Sequence, residues 1–234
     1  MKSLTFYLIA ISSFCTLHTA APVTHIVLAL SVLHLLPPTI DKQAFIVGTS
    51  FPDIRYLAKL DRKLTHIEPV TWNDIIKEKS SFRAGMLFHN LVDNIRMQHF
   101  EPCFYQRKTS HSEIYKIFFP LVMKTAEDNA LYQKIDSWKE ISSYFNTVYQ
   151  EEKDFGIDKQ IIKEWHTILQ NYLKEKPNVN SINLFLSNEG QKKLRTNIQQ
   201  FNIKKEFENL IFDEQFKNKL NIFYGNFEKY VHIK

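Results

Sequence analysis

Apolar residues recur at helical spacing along most of this chain. Residues 23–36 are apolar almost without interruption up to Pro37-Pro38, which predicts a buried helix with a hard stop. Residues 40–47 form a second short apolar segment ending at Gly48. In residues 49–62, Gly, Pro and Asp precede hydrophobics, a pattern that predicts a structured loop plus a helical turn. Ser80 and Ser81 are placed to cap a helix running to about Met97, broken by Glu101-Pro102. Residues 112–123 gather Ile114, Ile117, Phe118, Leu121 and Val122 on one side, and residues 128–149 continue with Leu131, Ile135, Trp138, Ile141, Tyr144 and Phe145. Residues 158–173 set Ile161, Ile162, Trp165, Leu169 and Leu173 on one face, ahead of Pro177, and residues 181–198 and 207–231 predict two further helices. Alternating runs joined by hairpin turns are missing, as is any internal repeat. The predicted fold class is all-α, a compact multi-helix bundle.

The first residues follow a different logic. Met1-Lys2 leads into a short apolar run that ends at the small residues Thr19-Ala20-Ala21. That order describes a secretory signal peptide over residues 1–21, cut after Ala20 or Ala21, and a secreted or periplasmic destination. An uncleaved anchor is the other reading. The run is short and interrupted by Ser and Thr, which argues against a permanent membrane span.

Composition narrows the chemistry. The 234 residues include nine His, only two Cys and five Gly. Two Cys build neither a disulfide scaffold nor a Cys-rich zinc cluster, and scarce Gly argues against nucleotide-binding loops. Six of the nine His fall within the first 99 residues. Residues 22–125 carry 13 Lys+Arg against 9 Asp+Glu, whereas residues 126–234 carry 16 of each. The basic excess therefore sits with the histidines, where it favours an anionic substrate. The balanced C-terminal half, with no basic aromatic groove, argues against nucleic-acid binding.

The strongest local signal is His89-Asn90-Leu91-Val92-Asp93. At i and i+4 on a helix, His89 and Asp93 project from one face, where imidazole and carboxylate can share a metal ion. Asp53 follows a Gly/Pro turn between core-seeking Phe51 and Ile54. Thr65-His66 lies 13 residues further on. His25 sits beside Ile26, Val27 and Leu28, where an imidazole needs a polar partner to offset its burial.

In this order, "APVTHIVLA", "FIVGTSFPDIRYL", "RKLTH" and "FRAGMLFHNLVDNIRMQH" resemble the zinc-dependent phospholipase C family and the related P1-type nucleases, over roughly residues 21–100. The resemblance implies a helical domain over residues 22–150, with residues 151–234 as a helical extension packed on it. It also implies two or three zinc ions held by His25, Asp53, His66, His89, Asp93 and His99. Asp93 would bridge, Asp53 would ligate and accept a proton, and both are the catalytic candidates. The family's second H-x-x-x-[D/E] pair is missing: His111 is followed by Tyr115 and His166 by Gln170. Glu127 and Asp128, read as lying between helices, are the main substitute ligands. Arg55 and Arg62 are the candidates for binding the substrate phosphate. The implied activity is hydrolysis of a phosphate ester by a metal-bound water. A phospholipid is one candidate substrate, which would bring peripheral membrane contact. Two other readings stay open: an HD-type helical phosphodiesterase, and a non-catalytic secreted binding protein with a structural metal site.

Overall fold

A computed structural model describes residues 20–100, 113–185 and 203–232, with the backbone alone for residues 113–118. Every regular element among these residues is helical, so the fold is all-α. In chain order the helices are α1 (Pro22–Val32), α2 (Lys42–Ser50), α3 (Arg55–Ala58), α4 (Arg62–Thr65), α5 (Trp72–Lys77), α6 (Ser81–His99) and α7 (Glu113–Leu131). They continue as α8 (Trp138–Tyr144), α9 (Gln150–Lys153), α10 (Lys159–Leu173), α11 (Ile203–Phe212), α12 (Glu214–Gly225) and α13 (Phe227–His232). Residues 1–19, which hold nearly all of the expected signal peptide, lie outside the described residues.

Helix α1 is apolar on all sides because it is surrounded: Val23 through Ala29 are all buried. Pro22 opens it, at a position where a missing N–H costs nothing. Its residue before the first turn, Ala21, has no side chain that can cap the free N–H groups. The cap comes from α7 instead. Asp128 accepts from the backbone N–H of Val23 (3.0 Å) and Thr24 (2.7 Å), from the Thr24 hydroxyl (2.7 Å), and from the Tyr172 hydroxyl of α10 (3.0 Å). Burial raises the Asp128 carboxyl, these donors pull it back down, and the balance stands at about 7.

This corrects one sequence expectation. Residues 126–128 do not lie between helices: α7 runs unbroken from Glu113 to Leu131, with Pro120 inside it. Asp128 caps α1 and lies in neither candidate ligand group of the described residues. Glu127 pairs with Arg96 of α6, its Oε2 accepting from Nε at 3.0 Å, with both side chains fully buried. A carboxylate neutralised by a buried guanidinium is already satisfied.

Helices α2 and α6 touch backbone to backbone. A Cβ added at Gly48 would lie 2.0 Å from the Phe82 carbonyl oxygen. One added at Gly85 would lie 2.1 Å from the Phe45 carbonyl oxygen and 2.7 Å from the Thr49 nitrogen. No other residue type fits either position without parting the helices. Polar caps set the starts: Asp41 accepts from Ala44 N–H, Ser80 from Arg83 N–H, and Thr71 with Asp74 forms a capping box for α5.

The C-terminal half belongs to the same hydrophobic cluster as α1, α2 and α6, through Ile162, Trp165, Leu169, Phe207, Phe216 and Phe227. The Trp165 indole N–H donates to the Ser50 carbonyl at 3.3 Å. The helix expected over residues 207–231 is divided. Asp213 ends α11 and caps α12 through the N–H groups of Gln215 and Phe216.

Two outcomes test this packing. Asp128→Ala leaves four buried donors without an acceptor, and urea denaturation should show a loss of about 3 kcal/mol or more. Gly85→Ala should cost a similar amount by overpacking, whereas Gly225→Ala, where an added methyl meets nothing, should cost nothing measurable.

Candidate metal centre

Five side chains from four segments converge. His25 comes from the fully buried α1, and Asp53 from the single 3₁₀ turn Pro52–Ile54 that follows α2. His66 directly follows α4, and His89 and Asp93 face the same way, one turn apart on α6. Asp93 is the hub. Its Oδ1 lies 3.4 Å from His25 Nε2 and accepts from the Ala20 N–H at 2.8 Å. Its Oδ2 lies 3.5 Å from His89 Nε2 and 3.9 Å from His66 Nε2. The ligand atoms form two overlapping triads, His25–Asp53–His89 and His66–His89–Asp93, each with its atoms within 4.8 Å of one another.

The tautomers are set from behind. His89 Nδ1 lies 2.9 Å from the Thr49 carbonyl, which can only accept, so the ring donates there and leaves Nε2 with a bare lone pair. The Thr65 hydroxyl donates to the Arg62 carbonyl at 3.5 Å, so its oxygen is free to accept from His66 Nδ1 at 2.9 Å. His66 Nε2 is thereby also left bare. The His25 and His89 rings stack with centroids 3.9 Å apart, and His66 meets His89 edge-on at 5.1 Å.

What the cluster lacks is partners. His25 Nδ1 and Nε2, Asp53 Oδ1, His66 Nε2, His89 Nε2 and Asp93 Oδ2 are all buried without a hydrogen bond. Buried polar atoms are almost always satisfied, and several orphans gathered in one place form a group that could hold an ion. The 3.4 and 3.5 Å separations match the edge of a tetrahedron whose centre lies about 2.0–2.2 Å from each ligand. The cluster is suited to hold a metal ion.

Protonation supports the same view. Burial first, then the neighbouring His89, lowers His25 to about 4. Burial and His89, helped by the charges of Arg62 and Arg55, lower His66 to about 2. Burial also works against a proton on His89, but the Asp93 carboxylate outweighs it and the group is raised. Asp93, which burial alone would raise, is held well below the carboxylate range by His89 and His25. Of the three imidazoles, His89 is the one on which a proton is favoured. A metal ion would displace it.

The remaining expected residues fall as follows. Arg55 is buried, its guanidinium 3.9 Å from the centre of the Tyr56 ring and bonded to the Tyr56 hydroxyl. Arg62 donates to Glu68 at 3.0 Å, and its Nη1 is buried without a partner. The charges of both arginines reach His66. His99 does not join the centre. It is exposed and its ring stacks on Tyr230 of α13 at 4.1 Å. Six residues turn about 240° around a helix, so His99 leaves α6 on a different side from Asp93. His166 is buried against Glu152 at 2.8 Å, in neither triad. His111 lies outside the described residues. Sequence reading had not assigned Thr49, Thr65 or Ala20 a role at the centre. A threonine directly before His66 and another directly after Gly48 were the visible signals. No protein-family model, curated protein or solved structure matches the chain.

The two lowered histidines give a signed prediction. A base with a depressed folded pKa binds fewer protons than its unfolded form, so its contribution is lost as pH falls. For His25 the window runs from about 6.5 to about 4. The melting temperature of metal-free protein should fall between pH 7 and pH 5, and His25→Gln should flatten that fall. His89 acts with the opposite sign and should be held constant in the comparison.

Proposed function

We propose that the protein is a zinc-dependent phosphoesterase. The observation that carries this reading is the set of orphaned, buried His and Asp ligand atoms, with two arginine charges against one of them. Three imidazole nitrogens and two carboxylates, with no thiolate, are a donor set that zinc accepts readily. His89 offers a single nitrogen, because Thr49 holds the other. An ion taken by His66, His89 and Asp93 Oδ2 therefore leaves His25, Asp53 and Asp93 Oδ1 for a second. Asp93, with its two oxygens facing different histidines, is the residue suited to bridge.

When bound, zinc supplies a Lewis acid and brings the acidity of water to near pH 7. The chain supplies the rest. Thr49 and Thr65 hold His89 and His66 in the tautomer that ligates. Asp53 Oδ1, buried and without a donor, is placed to accept the proton of the attacking water. Arg62 Nη1 is a free donor for a phosphoryl oxygen, and Arg55 adds positive charge beside it. Together they favour an anionic ester over a neutral one.

Purified full chain should contain one or two zinc ions and hydrolyse bis(p-nitrophenyl) phosphate. Thr65→Val should weaken zinc binding roughly 10–100-fold by releasing the His66 ring. His89→Ala and Asp93→Ala should lose more than that, along with the activity. Protein without bound zinc, or activity that survives both ligand substitutions, would contradict the proposal.

One observation favours a second reading. Every orphaned ligand atom is cut off from solvent, as in closed structural sites. A structural metal in a non-catalytic protein predicts bound zinc, no hydrolysis by any variant, and loss of fold on chelation.

A further inference from the structure

Residues 61–68 are bonded well to themselves and lightly to everything else. Asp61 accepts from Lys63 N–H, and Arg62 donates to Glu68 at 3.0 Å. The His66 N–H and the Thr65 hydroxyl donate to the Arg62 carbonyl at 2.8 and 3.5 Å. Among the described residues, one hydrogen bond ties this stretch to another element: the Asn90 side chain of α6 donates to the Ile67 carbonyl at 3.2 Å. Apolar burial adds little, because Leu64 and Ile67 are 55% and 52% exposed. A piece that is stiff within and lightly held from outside moves as a body.

Its two ends are set differently. Beyond Glu68 the chain is fixed by buried Val70 and by Thr71, which caps α5. On the near side Lys59 has a left-handed backbone, φ 55°, the one such non-glycine among the described residues. Next to it, Leu60 N–H donates to the Arg55 carbonyl at 3.1 Å. Turning Lys59 to an ordinary φ breaks that bond but removes the left-handed penalty, and the two nearly cancel. The chain can hinge there at small cost.

The stretch carries His66, one of the five candidate ligands. Its ring meets His89 edge-on, and Asn90 is the very next residue of α6. Every orphaned ligand atom is shut off from solvent, so an ion reaches them only if some part of the chain moves. If His66 swings away, His25, Asp53, His89 and Asp93 stay in place on α1, the turn after α2, and α6. We propose that residues 61–68 are a flap, hinged at Lys59 and latched by Asn90, that lifts His66 to admit a metal ion and then closes it onto that ion. The flap rests on the metal centre of the phosphoesterase reading, but it does not require hydrolysis.

The test is the rate at which zinc-loaded full chain gives up its zinc to excess pyridylazoresorcinol, a chelator that colours on binding the ion. Asn90→Ala removes the latch and should speed release about fivefold. Lys59→Gly abolishes the strain that favours lifting, so it should slow release about fivefold without lowering the melting temperature. Glycine adopts that backbone freely, which keeps the test decisive even if Asn90→Ala folds poorly. Zinc release at the wild-type rate from either folded variant overturns the flap, as does a shift of both in the same direction. So does a wild-type rate that rises in proportion to chelator concentration without levelling off, since the ion would then be open to direct attack. Full chain that takes up no zinc contradicts the metal centre and the flap together. Release that follows both variants as expected, with no hydrolysis of the soluble ester, contradicts the phosphoesterase reading alone.

Discussion

The centre depends on how closely α2 approaches α6. At Gly48 and Gly85 the two helices meet with backbone against backbone, in a space where a single methyl would collide with a carbonyl oxygen. That approach brings the Thr49 carbonyl to His89 Nδ1. With that nitrogen occupied, Nε2 is bare and turned toward Asp93. Packing two helices at unusual proximity thus decides which nitrogen of a buried histidine is free to bind. Helix crossing and ligand chemistry are parts of one constraint.

Around it, the fold gives buried carboxylates a cation or hydrogen-bond donors. Glu127 meets Arg96, Glu152 meets His166, and Asp128 takes the free N–H groups of α1 together with two hydroxyls. Each of these carboxylates is satisfied. The His/Asp cluster departs from that habit, because several of its lone pairs find no donor. Beside carboxylates that are satisfied, such a gap is costly unless an ion fills it. Asp128 ties this economy to the centre directly, since the helix it caps is the one that carries His25.

Much of this was legible in the chain. The i, i+4 spacing put His89 and Asp93 on one face, and an imidazole among aliphatics singled out His25. The Gly/Pro turn ahead of Asp53 marked a carboxylate held against a core. The failures have physical causes. His99 follows the family spacing, but α6 stays helical to its end and turns that ring away to Tyr230. Glu127 and Asp128 read as ligands because their real partners, Arg96 and the start of α1, are distant in sequence. Helix α5 went unread although Thr71 and Asp74 stand at capping-box spacing. Residues 207–231 read as one helix because Asp213, whose side chain caps α12, is also a tolerable interior residue.

A metal ion held by the orphaned ligand atoms around Asp93 would scatter X-rays anomalously. Anomalous diffraction at the zinc edge, on crystals of full chain purified without added metal, addresses it most directly. Bound zinc should give a peak about 2.0–2.2 Å from His89 Nε2, His66 Nε2 and an Asp93 oxygen, with any second peak beside His25 and Asp53. Electron density showing the five side chains hydrogen-bonded to water alone, with no anomalous signal among them, would contradict it.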